Sequence, residues 1–143
     1  MRGLPGSGKS TDILENYPES TPVSADFFFD ELAERQGKTY TEVFDPSLLY
    51  EAHQQCWRDF MMAIAANADV VVDNTNTRLA EYKNYVLMAK LFGEDYECEI
   101  IEIECPDTRT LNKFHARGTH GVPKETMRAM RNRWEEDPRA IKV

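Results

Sequence analysis

The stretch Gly3-Leu4-Pro5-Gly6-Ser7-Gly8-Lys9-Ser10, followed by Thr11, decides the fold of this chain. It fits the phosphate-binding pattern G-x-x-x-x-G-K-[ST] without a mismatch. Its glycines let the backbone curl so that successive N–H groups point into one concavity, towards which the next helix directs its positive end. We predict that a nucleoside triphosphate contacts Gly3, Pro5, Gly6, Ser7, Gly8, Lys9, Ser10 and Thr11.

The composition indicates one globular domain over residues 1–143. Apolar residues make up 41% of the chain and charged residues 29%, which is typical of folded proteins. No apolar run is long enough to cross a membrane and no signal peptide is visible, so we expect an intracellular, cytoplasmic protein. The cysteines lack metal-site spacing, and we expect buried, reduced thiols at Cys56, Cys98 and Cys105.

The charge is distributed unevenly along the chain. The net charge is −8, whereas residues 109–143 carry nine Lys or Arg against four Asp or Glu, a balance of +5. A net acidic protein is a poor general binder of nucleic acid, but a basic end can form a local funnel for phosphates. On charge alone, a solvated basic helix explains the same pattern.

Strands and helices alternate along the chain, which predicts an α/β fold with a parallel sheet and helices on both faces. The predicted helices cover residues 9–17, 27–35, about 46–67, 79–92 (closed by Gly93), 107–116 and 123–137. The predicted strands cover residues 21–26, 69–73, 96–105 and 140–143. Alternating glutamates place the third of these strands near a sheet edge.

The strand that normally leads into such a phosphate loop should precede Gly3, where only Met1 and Arg2 stand. Its absence would leave neighbouring backbone groups unpaired in the core, at about 1–3 kcal/mol each. We therefore expect that the natural chain starts earlier, or that another segment or chain fills this position.

Two predicted strands end in carboxylates. Asp26 is the last residue of the predicted strand 21–26, and we expect this strand to neighbour the strand of the phosphate loop. Because ligands bind beyond the carboxyl ends of parallel strands, Asp26 is placed to accept a proton from an attacking hydroxyl, with a helix N-cap as the alternative role. Asp73 ends a Walker B-like strand and would hold Mg²⁺. Asn74 and Asn76 follow as candidate substrate ligands, with turn chemistry as the alternative.

Arginines are concentrated in the last third of the chain. Arg117 precedes Gly118, which suits a mobile lid over about residues 109–123, and an arginine beside a γ-phosphate stabilises charge in the transition state. The other arginines of this kind are Arg109, Arg128, Arg131 and Arg133. For at least one of the last three, we prefer a place on a solvated helix face.

Five segments together resemble a known family. They are Gly-Leu-Pro-Gly-Ser-Gly-Lys-Ser-Thr at 3–11, Ser-Ala-Asp-Phe-Phe at 24–28, Glu-Ala-His at 51–53, Asp-Asn-Thr-Asn-Thr at 73–77 and Arg-Gly-Thr-His-Gly-Val-Pro at 117–123. In this order they look like the small P-loop kinases related to the kinase domain of phage polynucleotide 5′-hydroxyl kinase. The resemblance covers nearly the whole chain. It is compatible with a protein encoded by a phage.

The resemblance implies roles for individual residues. Asp26 matches the general base for the substrate hydroxyl, and Arg117 matches the lid arginine on the transferring phosphate. Ser10 would bind magnesium. The family's acidic position at the end of the strand 69–73 matches either Asp73 or Asn74, and the apolar run before Asp73 favours Asp73.

The chain departs from this family directly after the general base. Nucleic-acid kinases of the group carry a basic residue there that grips the substrate's phosphate, whereas Phe27, Phe28 and Phe29 occupy the stretch here. Phe27 and Phe28 are therefore candidates to stack a base of the acceptor, which is worth about 1–3 kcal/mol per base in single-strand binders. Packing into the core is the alternative for each ring.

The resemblance implies transfer of the γ-phosphoryl group of ATP, with Mg²⁺, to a hydroxyl. Lys9, Mg²⁺ and Arg117 would stabilise charge while Asp26 takes the proton. The expected acceptor is a nucleic acid, either a single strand or end with a 5′-hydroxyl or a hydroxyl on a modified base. The alternatives are a kinase for a small metabolite or nucleoside, and an ATP-binding regulatory module that transfers nothing.

Overall fold

A computed structural model describes residues 1–92 and 96–143. The helices are α1 Lys9–Asn16, α2 Asp26–Gln36, α3 Tyr40–Val43, α4 Leu49–Ala65, α5 Leu79–Phe92, α6 Thr108–Arg117 and α7 Lys124–Asn132, with a 3₁₀ turn Pro46–Leu48 before α4. The strands are β1 Thr21–Val23, β2 Val70–Val72, β3 Ile101–Glu102 and β4 Ile141–Lys142. The predicted closing residue Gly93 lies outside the described residues. Among the described helices, none has the length and apolarity needed to cross a membrane.

The order of elements agrees with the predicted α/β alternation, and two parallel strand pairs form the sheet. β1 pairs with β2, and β3 pairs with β4. The first two residues of the chain join the pairs: the amino group of Met1 donates to the Val72 carbonyl (3.0 Å), and the Arg2 N–H donates to the Ile101 carbonyl (2.7 Å). β2 therefore separates β1 from the phosphate loop, so the expectation that the strand before Asp26 neighbours that loop was wrong.

The third strand is much shorter than the predicted 96–105. Only Ile101 and Glu102 form a ladder with β4, and on the other side Arg2 makes a single parallel bridge to Glu102. A ladder extends only where both chains continue side by side, and after Arg2 the chain turns into the phosphate loop. This turn explains why the strand does not continue to residue 105.

Glu102 does not lie on a solvated edge as the alternation of glutamates suggested. It is 2% exposed and accepts a 2.7 Å hydrogen bond from Arg2 Nη1, whose side chain is equally buried. The Arg2 guanidinium also lies over the rings of Tyr82 and Trp134, 5.1 and 4.6 Å from their centroids. One glutamate of the alternating pattern, Glu102, is therefore the acidic partner in a buried ion pair.

Two hydrophobic clusters hold the elements together. One packs α2, α4 and α5 against β1 and β2, and the other packs the phosphate loop through Leu4 against α6 and α7. The predicted burial of all three cysteines is only partly right, because Cys56 is buried, Cys105 is half-buried and Cys98 is exposed. Helix α7 ends earlier than predicted, because the chain turns there and the N–H of Glu135 donates to the Thr77 carbonyl.

Candidate active site

The phosphate loop has the backbone that its glycines predict. Gly6 and Gly8 have φ of 69° and 104°, values in the left-handed region that glycine adopts most readily. Gly8 directly precedes α1 and makes no side-chain cap, so the first N–H groups of the helix are open to an anion. The Ser7 hydroxyl is buried without a hydrogen-bond partner among the described residues. This orphaned donor and the open N–H groups fit a bound phosphate.

Lys9 lies between the phosphate loop and two carboxylates. Its Nζ donates to the carbonyls of Gly3 (3.0 Å) and Leu4 (3.4 Å) and lies 4.0 Å from Asp73 Oδ1. Burial lowers the pKa of Lys9, and the negative charges of Asp73 and Asp26 oppose that change. The ammonium group is thus placed where phosphate oxygens on the loop would meet it.

A hydroxyl and a carboxylate meet beside this lysine. Ser10 Oγ donates a 2.9 Å hydrogen bond to Asp73 Oδ2. Ser24 Oγ, at the end of β1, donates to the Asp73 carbonyl at 2.6 Å and fixes the two strand ends together. Mg²⁺ prefers oxygen ligands and takes few from the protein when phosphates supply others, so Ser10 and Asp73 fit the predicted metal site.

Asp26 is the first residue of α2, the helix that follows β1. The N-cap position is occupied by Ala25, so the carboxylate is not used to cap the helix. Its backbone N–H donates to Ser24 Oγ at 3.2 Å, and its Oδ1 accepts a 2.7 Å hydrogen bond from the Tyr40 hydroxyl. The side chain is 50% exposed. A half-exposed carboxylate with one oxygen held and the other accessible can accept a proton.

Arg117 ends α6 and lies on the phosphate loop. Its Nε donates to the Gly6 carbonyl and its Nη2 to the Ser7 carbonyl, both at 2.6 Å. The loop and α6 also touch directly, since a side chain on Gly6 would overlap the Phe114 carbonyl. The predicted lid arginine is therefore beside the place where the phosphates would lie.

Other predicted substrate residues are placed differently. Asn74 accepts from the Ala25 N–H (3.0 Å) and Asn76 donates to the Met1 carbonyl (2.9 Å), and both are buried. These bonds tie both amides to the backbone of the fold. Phe28 packs edge-on against Phe29 at the core, whereas Phe27 is 38% exposed.

The remaining arginines serve mainly the fold. Arg131 donates to the carbonyls of Cys105 and Pro106, and Arg133 donates to Thr77 Oγ1. Arg128 pairs with a glutamate one turn earlier on the exposed face of α7, as the solvated-face interpretation expected of at least one of them. Arg109 is exposed.

Two residues beside the site had no role in the sequence analysis. Tyr40 lies between the predicted helices 27–35 and 46–67, where no element was predicted, and it begins α3. His120 lies in the predicted lid. Their rings stack with centroids 4.0 Å apart and planes at 9°. The only sequence signal was the position of His120 within the Arg-Gly-Thr-His-Gly-Val-Pro segment.

Comparisons with known proteins agree with this geometry. The family described as "AAA domain" matches residues 1–136. NEDD4-binding protein 2 of Homo sapiens is 31% identical over 139 residues, covering 91% of this chain, and the chain spans only 7% of the length of that relative. The crystal structure of a gluconokinase from Sinorhizobium meliloti 1021 superposes with a TM-score of 0.62 at 14% identity, covering 99% of this chain and 78% of that one. The fold is the predicted P-loop kinase fold.

Proposed function

The chain belongs to the AAA-domain family, and on that premise we propose that it is a kinase that transfers the γ-phosphoryl group of ATP to a hydroxyl. The observation that carries the proposal is the meeting of Lys9 with two carboxylates: Asp73 lies 4.0 Å away, and Asp26 is near enough to favour its charge. The residues proposed to bind the nucleotide, hold the metal and act as general base therefore lie close together.

Each residue has a separate role in the proposed phosphoryl transfer. Asp26 takes the proton of the acceptor hydroxyl, whose oxygen bonds to the γ-phosphorus while the bond to the bridging oxygen breaks and ADP leaves. Lys9 and Arg117 stabilise charge on the phosphate oxygens. Ser10 and Asp73 would hold Mg²⁺, which would supply positive charge to neutralise the transferring phosphate.

For the acceptor we propose a nucleic-acid hydroxyl, at a 5′ end or on a modified base. The motif resemblance to polynucleotide 5′-hydroxyl kinases supports this, as do the exposed basic side chains of Arg109 and Lys113 on α6 and the exposed ring of Phe27 beside Asp26. A single strand or end is the form that such an aromatic ring would stack.

A small metabolite or nucleoside is the second candidate. Asp30 lies one turn after Asp26 on the same side of α2, and its pKa is raised chiefly by burial, with Asp26 adding to the effect. Phe29 is 1% exposed and offers no grip for a phosphate. An acceptor without negative charge near its hydroxyl suits these surroundings.

The test is a transfer assay with γ-labelled ATP across 5′-hydroxyl DNA, 5′-hydroxyl RNA, nucleosides and gluconate. A nucleic-acid acceptor predicts labelled oligonucleotide with a yield that falls steeply with salt, whereas a small acceptor predicts little salt dependence. Asp26→Asn should abolish most transfer and spare ATP binding. ATP binding without transfer to any acceptor would contradict the kinase proposal and favour a regulatory nucleotide-binding module.

A further inference from the structure

We propose that Tyr40 is a positioning residue for the Asp26 carboxylate and that His120 holds Tyr40 in place from the lid. This inference rests on the proposed function, because it assigns roles to the neighbours of the proposed general base. A series of contacts connects the phosphate loop, through the lid, to the side of the site where the acceptor would bind.

The first contact fixes one oxygen of Asp26. The Tyr40 hydroxyl donates to Asp26 Oδ1 at 2.7 Å. Burial, together with this hydrogen bond, raises the pKa of Tyr40 well above its usual range, so the phenol stays protonated and remains a donor at any working pH. Asp26 Oδ2 is then the oxygen left to receive a proton from the acceptor.

The second feature is the packing that holds the Tyr40 ring in place. It packs against Phe29 and Phe44, with centroid distances of 5.6 and 5.8 Å. At the start of α3, Thr39 and Glu42 form a reciprocal capping box, which fixes the first turn of a helix. The hydroxyl therefore approaches Asp26 from a direction set by the core.

The third contact comes from the lid. The His120 ring stacks on Tyr40 at 4.0 Å with an interplanar angle of 9°, and its Nδ1 lies 3.7 Å from Asp26 Oδ2. His120 therefore covers one face of the Tyr40 ring and borders the open oxygen of Asp26. The next residue, Gly121, has φ of 62°, and a Cβ at this position would lie 3.6 Å from Thr41 Oγ1 on α3.

The lid segment thus touches both halves of the site. Arg117 contacts the phosphate loop through the Gly6 and Ser7 carbonyls, and three residues later His120 contacts Tyr40. Because the segment between them is so short, its position over the loop and its position over Tyr40 are set together. An ordered lid therefore brings with it an oriented general base.

Kinetics of Tyr40→Phe test the positioning role, since this variant keeps the stacked ring and removes only the donor. We expect kcat to fall about 10- to 100-fold, in line with the cost of misplaced reacting groups, with ATP affinity and thermal unfolding unchanged. Tyr50→Phe is the matched control, because Tyr50 is 74% exposed on α4, and it should match wild type. An unchanged kcat in Tyr40→Phe would overturn the positioning role.

Hydrogen exchange of the lid amides, residues 118–122, tests the stack without using activity. Tyr40→Ala and His120→Ala should each cause these amides to lose protection, whereas Tyr40→Phe, His120→Phe and Tyr50→Ala should retain it. Unchanged protection in both alanine variants of the stacked pair would overturn the lid contact. A wild-type protein that phosphorylates no acceptor overturns the proposed function and the positioning role with it, and the exchange data still decide the contact.

Discussion

Ser10 Oγ donates a 2.9 Å hydrogen bond to Asp73 Oδ2, joining residues 63 positions apart. One belongs to the first turn of α1 and the other directly follows β2. Their meeting depends on β2 being the strand beside the phosphate loop. Both residues are predicted from the sequence to be metal ligands, and their contact is the structural basis for the first prediction.

Asp73→Asn should raise the Mg²⁺ concentration needed for half-maximal ATP binding by about 10- to 100-fold, the usual range for damage to a metal's protein environment. The amide keeps the size of the side chain and removes its charge. A Mg²⁺ titration of nucleotide binding measures the effect. Asp69→Asn, an exposed carboxylate just before β2, is the control, and equal shifts in both variants would count against a metal role.

Arg117→Lys should lower kcat by on the order of 10³-fold, the low end for removal of an arginine that stabilises transferring phosphate. Lysine keeps the charge but has no planar fork to span the Gly6 and Ser7 carbonyls. Steady-state transfer kinetics give the result. Arg128→Lys, in the exposed pair on α7, should behave as wild type, and a small effect at Arg117 would remove it from the proposed machinery.

Gly6→Ala should destabilise the protein more than Gly37→Ala and should weaken ATP binding. Both glycines have left-handed φ, 69° and 62°, so each substitution carries a backbone strain of about 1–2 kcal/mol. Only Gly6 also faces a neighbour, the Phe114 carbonyl, while nothing lies within 4 Å of a side chain on Gly37. Denaturant unfolding of the two variants isolates this close approach, and equal losses would contradict it.

Arg2→Met should reduce the free energy of unfolding by about 3–5 kcal/mol, because Glu102 would remain as a buried charge without its partner. The Arg2 guanidinium also donates to the carbonyls of Asn76 and Glu135, at 2.9 and 2.7 Å. The double variant Arg2→Met/Glu102→Gln should recover part of the loss. Denaturant unfolding tests both, and a double variant no more stable than the single one would contradict the ion-pair explanation.

Asp137→Asn should destabilise the protein at neutral pH and have less effect in acid. Arg139 and Tyr82 donate to this buried carboxylate and hold its pKa well below its usual range. With a lowered folded-state pKa, the stabilisation is fully present above the ordinary carboxyl pKa of about 3.9 and is lost as the pH falls through the lowered value.

Unfolding measured from pH 7 to pH 2 checks this dependence. The free energy of unfolding of Asp137→Asn should be about 1–3 kcal/mol lower than that of wild type at pH 7, as for loss of a buried hydrogen-bonded group. This gap should narrow below pH 4. Glu136→Gln, an exposed neighbour whose carboxylate contacts Lys142, is the control. A gap that is constant across this range would contradict the charge-based explanation.

Much of the fold was predictable because its signals are local. The phosphate loop, the helix after it and the run before Asp73 follow from glycine spacing and apolar patterning within a few residues. The hydrogen bonds of Asn74 and Asn76 were not predictable, because nothing in a polar cluster tells which groups of the protein its amides contact. The length of β3 was overestimated, because strand length depends on the neighbouring strand as well as on the strand's own pattern.

The sequence by itself determined that a phosphate loop opens the chain, that strands and helices alternate after it, and that carboxylates follow two of the strands. Only the tertiary structure decided that β2 adjoins the loop, that Glu102 is buried against Arg2, and that Tyr40 and His120 stack beside Asp26. The physical reason is the distance along the chain. Backbone curvature and helix starts are encoded within one or two turns, whereas these pairs form only when segments from 14 to 100 residues apart are packed together.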